Sequence, residues 1–438
     1  MIREYKTIQA ISGPLVLVSQ VDGAVCGELA EVHLPDGSIS RCQVLEINGD
    51  TVLAELFGSS AGMDVDNTKI HFLGRAFELD ISTDVLGRVF NSMGEPVDGG
   101  PRILPDVRRS INGLPINPAA RDVPVKTIDT GISAIDGSNA IMRGQKLAIF
   151  SGAGLPHTEL AAHIARIAAS GDPEAEYAIV FASIGLSFEE TEYVIQEFRR
   201  AELIDSTVTF TCKAGSPALE RFAAPRTALT TAEYLAFDKG MHVFVILSDM
   251  MCYAEALREL SSAKNSPSFE SGYPRYLHRD FSEICERAGL RAGKKGSVTL
   301  LPVVSMPGDK KTHSVPDTLG HVCEGQIVLS RELHTKGIYP PVDLLASGSR
   351  LWDVVAGIEH RDLMNRLLSS YASGKEFQSL INSFGPEAAD DRGKKLADFS
   401  SKLEKKYICQ EPNTGRSAGE TSLIAKELLR GLDEQITV

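Results

Sequence analysis

Five short, nearly uninterrupted apolar stretches between residues 140 and 310 constrain the fold more than any other feature of this chain. They are rich in Val, Ile, Leu, Phe and Ala, and the segments between them carry apolar residues at helical spacing. Strands that helices cover on both faces have this composition, which is typical of a parallel sheet. The pattern predicts a central α/β layer with strands at residues 146–150, 177–184, 208–212, 242–247 and 298–304.

The first 75 residues follow a different pattern. Short apolar stretches are separated by turns of Gly, Asp and Asn, such as Pro35-Asp36-Gly37. Closely spaced short strands of this kind predict a small β-barrel. Residues 76–126 are rich in Gly and Pro, which favours an irregular connecting or wrapping segment. The predicted barrel strands are residues 5–11, 14–18, 31–34, 41–47 and 51–56.

The chain beyond about residue 355 is predicted to be helical. Apolar residues recur there at helical spacing between short polar breaks, which favours a small helical bundle. We therefore predict a multi-domain protein with a β-barrel at 1–75, a central α/β domain at 76–354 and a helical domain at 355–438. The three apolar stripes are Leu363, Met364, Leu367, Leu368 and Tyr371, then Leu396, Phe399 and Leu403, then Leu423, Ile424, Leu428 and Leu429.

The composition excludes several classes of function. The chain has 438 residues and a formal net charge of -13, which argues against nucleic acid as the main partner because phosphate backbones attract basic surfaces. The amino terminus does not resemble a signal peptide, and no apolar run is long enough to span a membrane, so we expect membrane association only through partners. The number of cysteines is odd, at 7, and no two have C-x-x-C spacing, so we expect neither a disulfide framework nor a metal site.

The segment after the first predicted central strand has the length of a phosphate-binding loop but not its chemistry. Such a loop has the pattern G-x-x-x-x-G-K-[ST], in which backbone N–H groups cradle phosphate, the Lys neutralises it and the hydroxyl binds magnesium. Residues 151–158 have Ser151 and Pro156 at the two glycine positions, His157 at the lysine position and Thr158 at the end. Proline has no N–H, and a neutral imidazole replaces a permanent cation.

Each of these losses is expected to cost a few kcal/mol of phosphate or transition-state stabilisation. Independent ATP hydrolysis is therefore not expected, although Gly152, Gly154 and Thr158 keep groups that could hold nucleotide weakly. A glycine-rich turn unrelated to nucleotides is the alternative when the loop is considered alone.

The neighbouring strands carry few of the remaining catalytic groups. Residues 182–187 have no acid at the strand tip, where a carboxylate would orient the attacking water. Glu189 and Glu190 follow, and we expect them in the first turn of a helix, where carboxylates favour the amino terminus. Asp249 follows the strand at 242–247, which is the usual magnesium-side position of a P-loop ATPase.

Together these segments resemble the B subunit, the non-catalytic beta chain, of V-type and A-type ATPases. The resemblance extends over nearly the whole chain, and its most specific part is Gly154-Leu155-Pro156-His157. Other motifs that carry it are Leu86-Gly87-Arg88-Val89-Phe90, Thr130-Gly131-Ile132-Ser133-Ala134-Ile135-Asp136-Gly137, Gly272-Tyr273-Pro274, Met306-Pro307-Gly308-Asp309 and His360-Arg361-Asp362.

The resemblance implies a P-loop (RecA-like) central domain in an alternating ring of three catalytic A subunits and three non-catalytic subunits, with central and peripheral stalks. It implies a location at the cytoplasmic face of a membrane, where the complex couples ATP synthesis or hydrolysis to proton or sodium transport. ATP or ADP with magnesium would lie at the interface with the catalytic subunit. The family's arginine finger, which acts on the neighbour's ATP, matches Arg350, although Gly348 precedes it where the family usually has Leu.

Two other functions are consistent with the residues alone. One is an autonomous P-loop ATPase of the secretion or helicase type, against which the missing lysine and strand-tip acid both argue. The other is a structural scaffold that contacts no phosphate, and the role of Arg350 separates that hypothesis from the first.

Overall fold

The computed structural model describes residues 3–170, 176–264, 268, 272–352, 356–412 and 414–437. Within them lie an antiparallel β-barrel, a central α/β layer with a parallel sheet and a group of C-terminal helices, which confirms the predicted fold class. No helix in these ranges is long and apolar enough to cross a membrane. The predicted boundary between residues 354 and 355 lies outside the described residues.

The barrel is a seven-stranded antiparallel sheet whose two edge strands are neighbours in the chain. Its order is β1-β7-β4-β5-β6-β3-β2. Only Lys6 and Thr7 separate the two edges, so the sheet must curl until its edges meet. The strands are β1 (Arg3–Tyr5), β2 (Ile8–Ser12), β3 (Leu15–Val18), β4 (Glu28–His33), β5 (Ile39–Asn48), β6 (Thr51–Leu56) and β7 (Lys69–Ala76).

Two sequence predictions for the barrel are wrong. The single strand expected at 5–11 is divided, because its two parts pair with different strands, β1 with β7 and β2 with β3. Strand β7 was missed, although Ile70 and Phe72 alternate with polar residues and are buried in the barrel core.

The segment predicted to be irregular contains short strands that attach it to the central sheet. The strands are β8 (Glu78–Ile81), β9 (Val89–Asn91), β10 (Val107–Ser110), β11 (Arg121–Asp122) and β12 (Thr127–Ile128). β9 becomes an edge strand of the central sheet, whereas β8 and β10 pair only with each other. The segment therefore wraps around the central layer, but it is less irregular than its composition predicts.

The central layer alternates strands with helices, as the apolar stretches predict. In chain order its elements are α1 (Ser133–Asp136), β13 (Ile141–Met142), β14 (Leu147–Ser151), α2 (His157–Ser170), β15 (Tyr177–Leu186), α3 (Phe188–Arg200), β16 (Thr207–Lys213), α4 (Ala218–Phe237), β17 (His242–Ser248), α5 (Met250–Ala263), α6 (Leu277–Cys285), β18 (Gly289–Arg291), β19 (Ser297–Ser305), α7 (Ser314–Val322), β20 (Gly325–Val328), α8 (Arg331–Thr335) and β21 (Gly348–Ser349).

The main path of the central sheet has the order β21-β20-β14-β19-β17-β15-β16-β9. Every neighbouring pair from β20 to β9 is parallel, and β21 is antiparallel to β20. All five residues of β14 are buried. Its alternate residues point to opposite faces, so Phe150 packs into one core cluster and Ile149 into the other. The carboxyl end of β14 leads directly into residues 151–158.

The C-terminal helices share a core with the central layer. They are α9 (Ile358–Phe384), α10 (Asp391–Leu403) and α11 (Ala418–Thr437), with a π-helical turn at Glu404–Ile408. The predicted stripe at 396, 399 and 403 is fully buried. The prediction that Leu423 belongs to the apolar face of its helix is wrong, because this residue is 57% exposed. It lies about a third of a turn from Ile424 and Leu428, which face the core.

The connection between the π-helical turn and α11 holds the start of α1 and the residues before it by hydrogen bonds. Gln410 accepts a hydrogen bond from the Ser133 N–H at 2.7 Å and donates one to the Gly131 carbonyl at 2.9 Å. The Arg416 N–H donates to the same Gly131 carbonyl, at 2.8 Å. The predicted family motif at 130–137 therefore connects the central α/β layer to the C-terminal helices; we call it the joint.

The barrel meets the central layer through a small apolar cluster and a buried acid. Leu45 packs with Ala218 and Leu260. Beside them, Glu55 is only 3% exposed and accepts a hydrogen bond from the Leu219 N–H. Burial raises the pKa of Glu55 from 4.5 to about 7.

Gly374 and Gly431 form a matched pair for testing helix packing. A Cβ on Gly374 in α9 would overlap the Leu396 carbonyl oxygen of α10 and lie 2.9 Å from Ser400 Cβ, whereas a Cβ on Gly431 in α11 meets nothing within 4 Å. We predict that Gly374→Ala lowers the free energy of unfolding by roughly 1–3 kcal/mol through overpacking. Gly431→Ala should raise it by up to about 1 kcal/mol through helix propensity. Urea unfolding measures both, and equal effects of the two variants would contradict this packing.

Glu55 predicts a specific pH dependence of stability. Because its folded pKa is raised, the protonated form is favoured in the folded state, and this contribution to stability is lost as the pH rises from 4.5 through about 7. Relative to Glu55→Gln, the wild type should therefore lose about 3 kcal/mol over this range. The control is Glu387→Gln, at an exposed position. A constant difference between wild type and Glu55→Gln from pH 4.5 to pH 8 would refute the assignment.

Candidate functional site

Residues 151–158 connect β14 to α2 at the carboxyl edge of the parallel sheet, the edge at which α/β proteins bind ligands. The helix begins at His157. Gly154 has a φ of +76°, a conformation that favours glycine. The fold thus places Gly152, Gly154 and Thr158 in one strand-to-helix turn at this end of the sheet.

The His157 side chain is turned into the loop and is 8% exposed. Its Nδ1 lies 2.9 Å from the Leu155 carbonyl oxygen and 3.1 Å from Ser151 Oγ. A carbonyl oxygen only accepts, so Nδ1 carries a proton and donates it to Leu155. The imidazole at the lysine position therefore satisfies the loop's own backbone instead of extending toward a ligand.

Two backbone donors of the loop are also engaged within the loop. The Leu155 N–H donates to the Gly152 carbonyl at 3.2 Å, and the His157 N–H donates to the Leu155 carbonyl at 2.8 Å. Pro156 has no N–H to offer. The Thr158 hydroxyl is buried and has no hydrogen-bond partner among the described residues. The hydroxyl keeps its binding capacity, whereas two backbone donors of the loop are used within the loop itself.

An ion pair braces the start of the loop. Arg331, the first residue of α8, contacts Asp309 through two nitrogens at 2.5 and 2.9 Å and donates to the Ala153 carbonyl at 2.8 Å. The Arg331 guanidinium holds the pKa of the Asp309 carboxyl below its usual range. A Cβ on Gly152 would overlap Asp309 Oδ1, so this ion pair requires glycine there. The sequence analysis missed this pair.

The space in front of the loop is lined by carboxylates. An open cavity of about 410 Å³ has Glu159, Glu189 and Glu190 in its wall, along with His334 of α8. Glu190 also caps the amino terminus of α3 together with Ser187. The Glu190 side chain accepts a hydrogen bond from the Ser187 N–H at 3.0 Å, and the Glu190 N–H donates to Ser187 Oγ at 3.1 Å. Three carboxylates around the mouth disfavour an anionic ligand.

The Asp249 carboxylate accepts hydrogen bonds from other parts of the protein. It lies directly after β17 and caps α5 by accepting the Met251 N–H, at 2.8 Å. It also accepts the Ser305 N–H at 3.1 Å and the Ser305 hydroxyl. Burial raises its pKa, and the hydrogen bonds from Ser305 and Met251 oppose that rise. These bonds occupy both carboxylate oxygens, so Asp249 ties β17 to β19.

The loop therefore does not fit a tightly held magnesium nucleotide. The imidazole at the lysine position is turned inward, two N–H groups of the loop donate to loop carbonyls, and Asp249 already has protein donors. The buried Thr158 hydroxyl, which has no partner among the described residues, favours binding. Among the described residues, no group of three or more His, Cys, Asp or Glu side chains is placed to hold a metal ion.

Arg350 lies apart from this loop, directly after β21, and is exposed. Its N–H donates to the Glu324 carbonyl at 2.9 Å. Its Nη2 donates to the carbonyls of Gly320, His321 and Cys323, at 3.2, 3.3 and 2.8 Å. The last carbonyls of a helix carry partial negative charge, so the end of α7 attracts the guanidinium.

The strand register separates Arg350 from the loop. Ser349 pairs with Gly325, and Gly325 pairs with Leu147 at the amino end of β14. The loop starts at Ser151, four residues along the same strand, which corresponds to about 13 Å. The guanidinium contacts carbonyls that precede β20, on the same side as its backbone. Arg350 therefore lies near the amino ends of the parallel strands, whereas the loop lies at their carboxyl ends. The two do not contact each other.

A parallel sheet covered by helices, with a strand-to-helix turn at its carboxyl end, places the chain among α/β proteins of the nucleotide-binding type. Comparison of the sequence with models of protein families assigns the chain more specifically. The nucleotide-binding domain of the ATP synthase alpha/beta family matches residues 131–349, and the beta-barrel domain of that family matches residues 8–74. The C-terminal domain of V and A type ATP synthase matches residues 351–436.

The chain belongs to the ATP synthase alpha/beta family, in its V and A type branch. A solved structure supports the same assignment. The chain is similar to a unique ATP synthase subunit, NeqB, from Nanoarcheaum equitans, with 36% sequence identity and a TM-score of 0.76. The alignment covers 96% of this chain and 99% of that one.

Restoring the missing loop groups tests whether they are the reason for weak binding. We predict that Pro156→Gly with His157→Lys raises the affinity of the purified chain for Mg-ADP by at least about tenfold, because a donor and a cation return. His334→Lys is the matched control, since it adds a positive charge to the same cavity but not at the loop. Isothermal titration calorimetry measures the affinities. Equal gains in both variants would show that bulk charge, not loop chemistry, limits binding.

Proposed function

We propose that this chain is the non-catalytic, regulatory B (beta) subunit of a V/A-type rotary ATPase or ATP synthase. In this proposal it alternates with catalytic A subunits in a ring of three and three, connected to central and peripheral stalks. The complex couples ATP synthesis or hydrolysis to proton or sodium transport at the cytoplasmic face of a membrane. Family membership supports assembly with other ATP synthase subunits.

The observation that carries the proposal is the separation of a disabled loop from an exposed arginine. The loop's lysine position holds His157, whose ring is bonded to the Leu155 carbonyl, so the loop lacks the extended lysine that P-loop hydrolysis requires. Arg350 retains a permanent, planar charge at the far edge of the sheet. Because it is about 13 Å away along the strands, it can act only on a phosphate that another chain holds.

Arg350 would act as an arginine finger in trans. A guanidinium supplied by a neighbour stabilises the charge that spreads over the γ-phosphoryl oxygens in the transition state. In this chain Nη2 is held by the α7 carbonyls, which orients the plane of the guanidinium at the surface. The catalytic ATP, its magnesium and the attacking water would be held by the neighbouring A subunit.

The loop of this chain would then have a regulatory role at most. We propose weak binding of nucleotide through Gly152, Gly154 and Thr158, supported by the buried hydroxyl of Thr158. We also propose the division into units at 1–75, 76–354 and 355–438, with the joint at residues 130–137 transmitting movement of the helices to the central layer.

A substitution at Arg350 tests the proposal. In a complex reconstituted with the catalytic subunit, Arg350→Ala should lower ATP turnover by about 10³-fold or more, because trans arginines contribute roughly 10³–10⁵ in rate. Arg350→Lys should restore little of it, since an ammonium lacks the planar fork. Steady-state hydrolysis measures turnover.

Assembly should be unaffected, because Arg350 is exposed and its bonds are replaced by water. Size-exclusion chromatography checks this, and Arg279→Ala is the control, since Arg279 is 81% exposed on α6. Near-normal turnover of Arg350→Ala would sink the arginine-finger assignment and favour a purely structural scaffold. Steady-state hydrolysis by the purified chain alone would instead favour an autonomous ATPase.

A further inference from the structure

We propose that Glu324, fixed by the buried Lys146, is the positioning residue for Arg350. This inference rests on the proposed function of Arg350 and identifies what aims it. Glu324 lies between the end of α7 and the start of β20. The Glu324 carbonyl accepts a hydrogen bond from the Arg350 N–H at 2.9 Å, so the backbone of Glu324 fixes the position from which the Arg350 side chain extends.

Lys146 holds Glu324 at three points. The Glu324 N–H donates to the Lys146 carbonyl at 2.9 Å, and the Lys146 N–H donates to Glu324 Oε2 at the same distance. Lys146 Nζ lies 3.1 Å from Glu324 Oε1, and its side chain is 3% exposed. Charge-assisted bonds shielded from water are stronger and more directional than surface pairs. Glu324 is thus attached to the residue that precedes β14.

The same lysine is part of a longer ionic chain. Its Nζ is 2.7 Å from Glu286 Oε1, and Glu286 Oε2 is 2.7 Å from Arg121 Nη2. Two cations and two carboxylates therefore alternate beneath the Arg350 segment. The buried ammonium is neutralised from two sides, which fixes its position between α6 and β20.

The guanidinium depends on the same anchor. It donates to Gly320, His321 and Cys323, the last of which directly precedes Glu324 in the chain. A shift of Glu324 would therefore move both the backbone partner of Arg350 and the carbonyl nearest to its Nη2. Gly320 and His321 belong to the last turn of α7, which would move with it.

The strand that carries Arg350 is short, and its register is set by its pairing with β20, in which Ser349 pairs with Gly325 and Gly348 with Gln326. Gly348 has no side chain, and a Cβ there would meet nothing within 4 Å. Ser349 accepts one hydrogen bond from Gln145 Nε2, at 2.8 Å. Beyond this pairing, the Arg350 backbone is held by the Glu324 carbonyl, and Glu324 is held in turn by Lys146.

The test is Glu324→Gln in the complex reconstituted with the catalytic subunit. Glutamine keeps an oxygen for the Lys146 N–H but loses the charge that holds Nζ. We expect kcat for ATP hydrolysis to fall about tenfold with KM for ATP unchanged, because small misplacements of a catalytic group cost rate and not ground-state binding. Glu324→Asp, which keeps the charge, should retain more than half of the turnover. Glu283→Gln, on the exposed side of α6, is the matched control.

A double-variant measurement separates positioning from general loss of structure. Glu324→Gln added to Arg350→Ala should lower kcat no further than Arg350→Ala does, since both act through one group. An additive loss would overturn the inference, and so would a Glu324→Gln turnover equal to that of Glu283→Gln. If Arg350→Ala itself retained turnover, the proposed function would fail instead, so the two failures are distinguishable. Thermal melting of the purified variants confirms that each is folded.

Discussion

The parallel pairing of β14 with its neighbours is the constraint on which the rest of the molecule depends. It fixes the carboxyl end of β14 beside β19 and its amino end beside the start of β20. The loop at 151–158 and the Arg350 segment are attached to these opposite ends, so their separation is a property of the sheet and not of flexible side chains. A strand buried along its whole length cannot shift its register without exposing apolar residues on both faces.

At the carboxyl end, the loop uses part of its binding capacity on its own backbone. His157 lies at the lysine position, and its imidazole contacts the Leu155 carbonyl. Arg331 holds the Ala153 carbonyl from outside the loop. At the neighbouring strand end, Asp249 is bound to Ser305 and is not free for a ligand. The mouth carboxylates add an electrostatic barrier.

Sequence reasoning predicted the layers well and the side-chain contacts poorly. The central strands were predictable because an apolar run buried on both faces admits few other structures, and the loop defect was predictable because Pro156 and His157 differ in chemistry from Gly and Lys. Strand β7 was missed despite the alternation of Ile70 and Phe72, and Leu423 was placed in the core one residue out of phase. The Arg331–Asp309 and Lys146–Glu324 pairs join residues 22 and 178 positions apart, so only the tertiary fold reveals them.

The central claim is that the chain's chemical role lies in Arg350, acting on a nucleotide that its neighbour holds. Trapping of ADP with aluminium fluoride in the reconstituted complex tests this claim most directly, because that adduct imitates the transferring phosphoryl group. Wild-type complex should retain the trapped nucleotide, whereas Arg350→Ala complex should bind ADP but fail to trap it, since only the transition-state charge needs the arginine. Equal trapping in the two complexes would contradict the account.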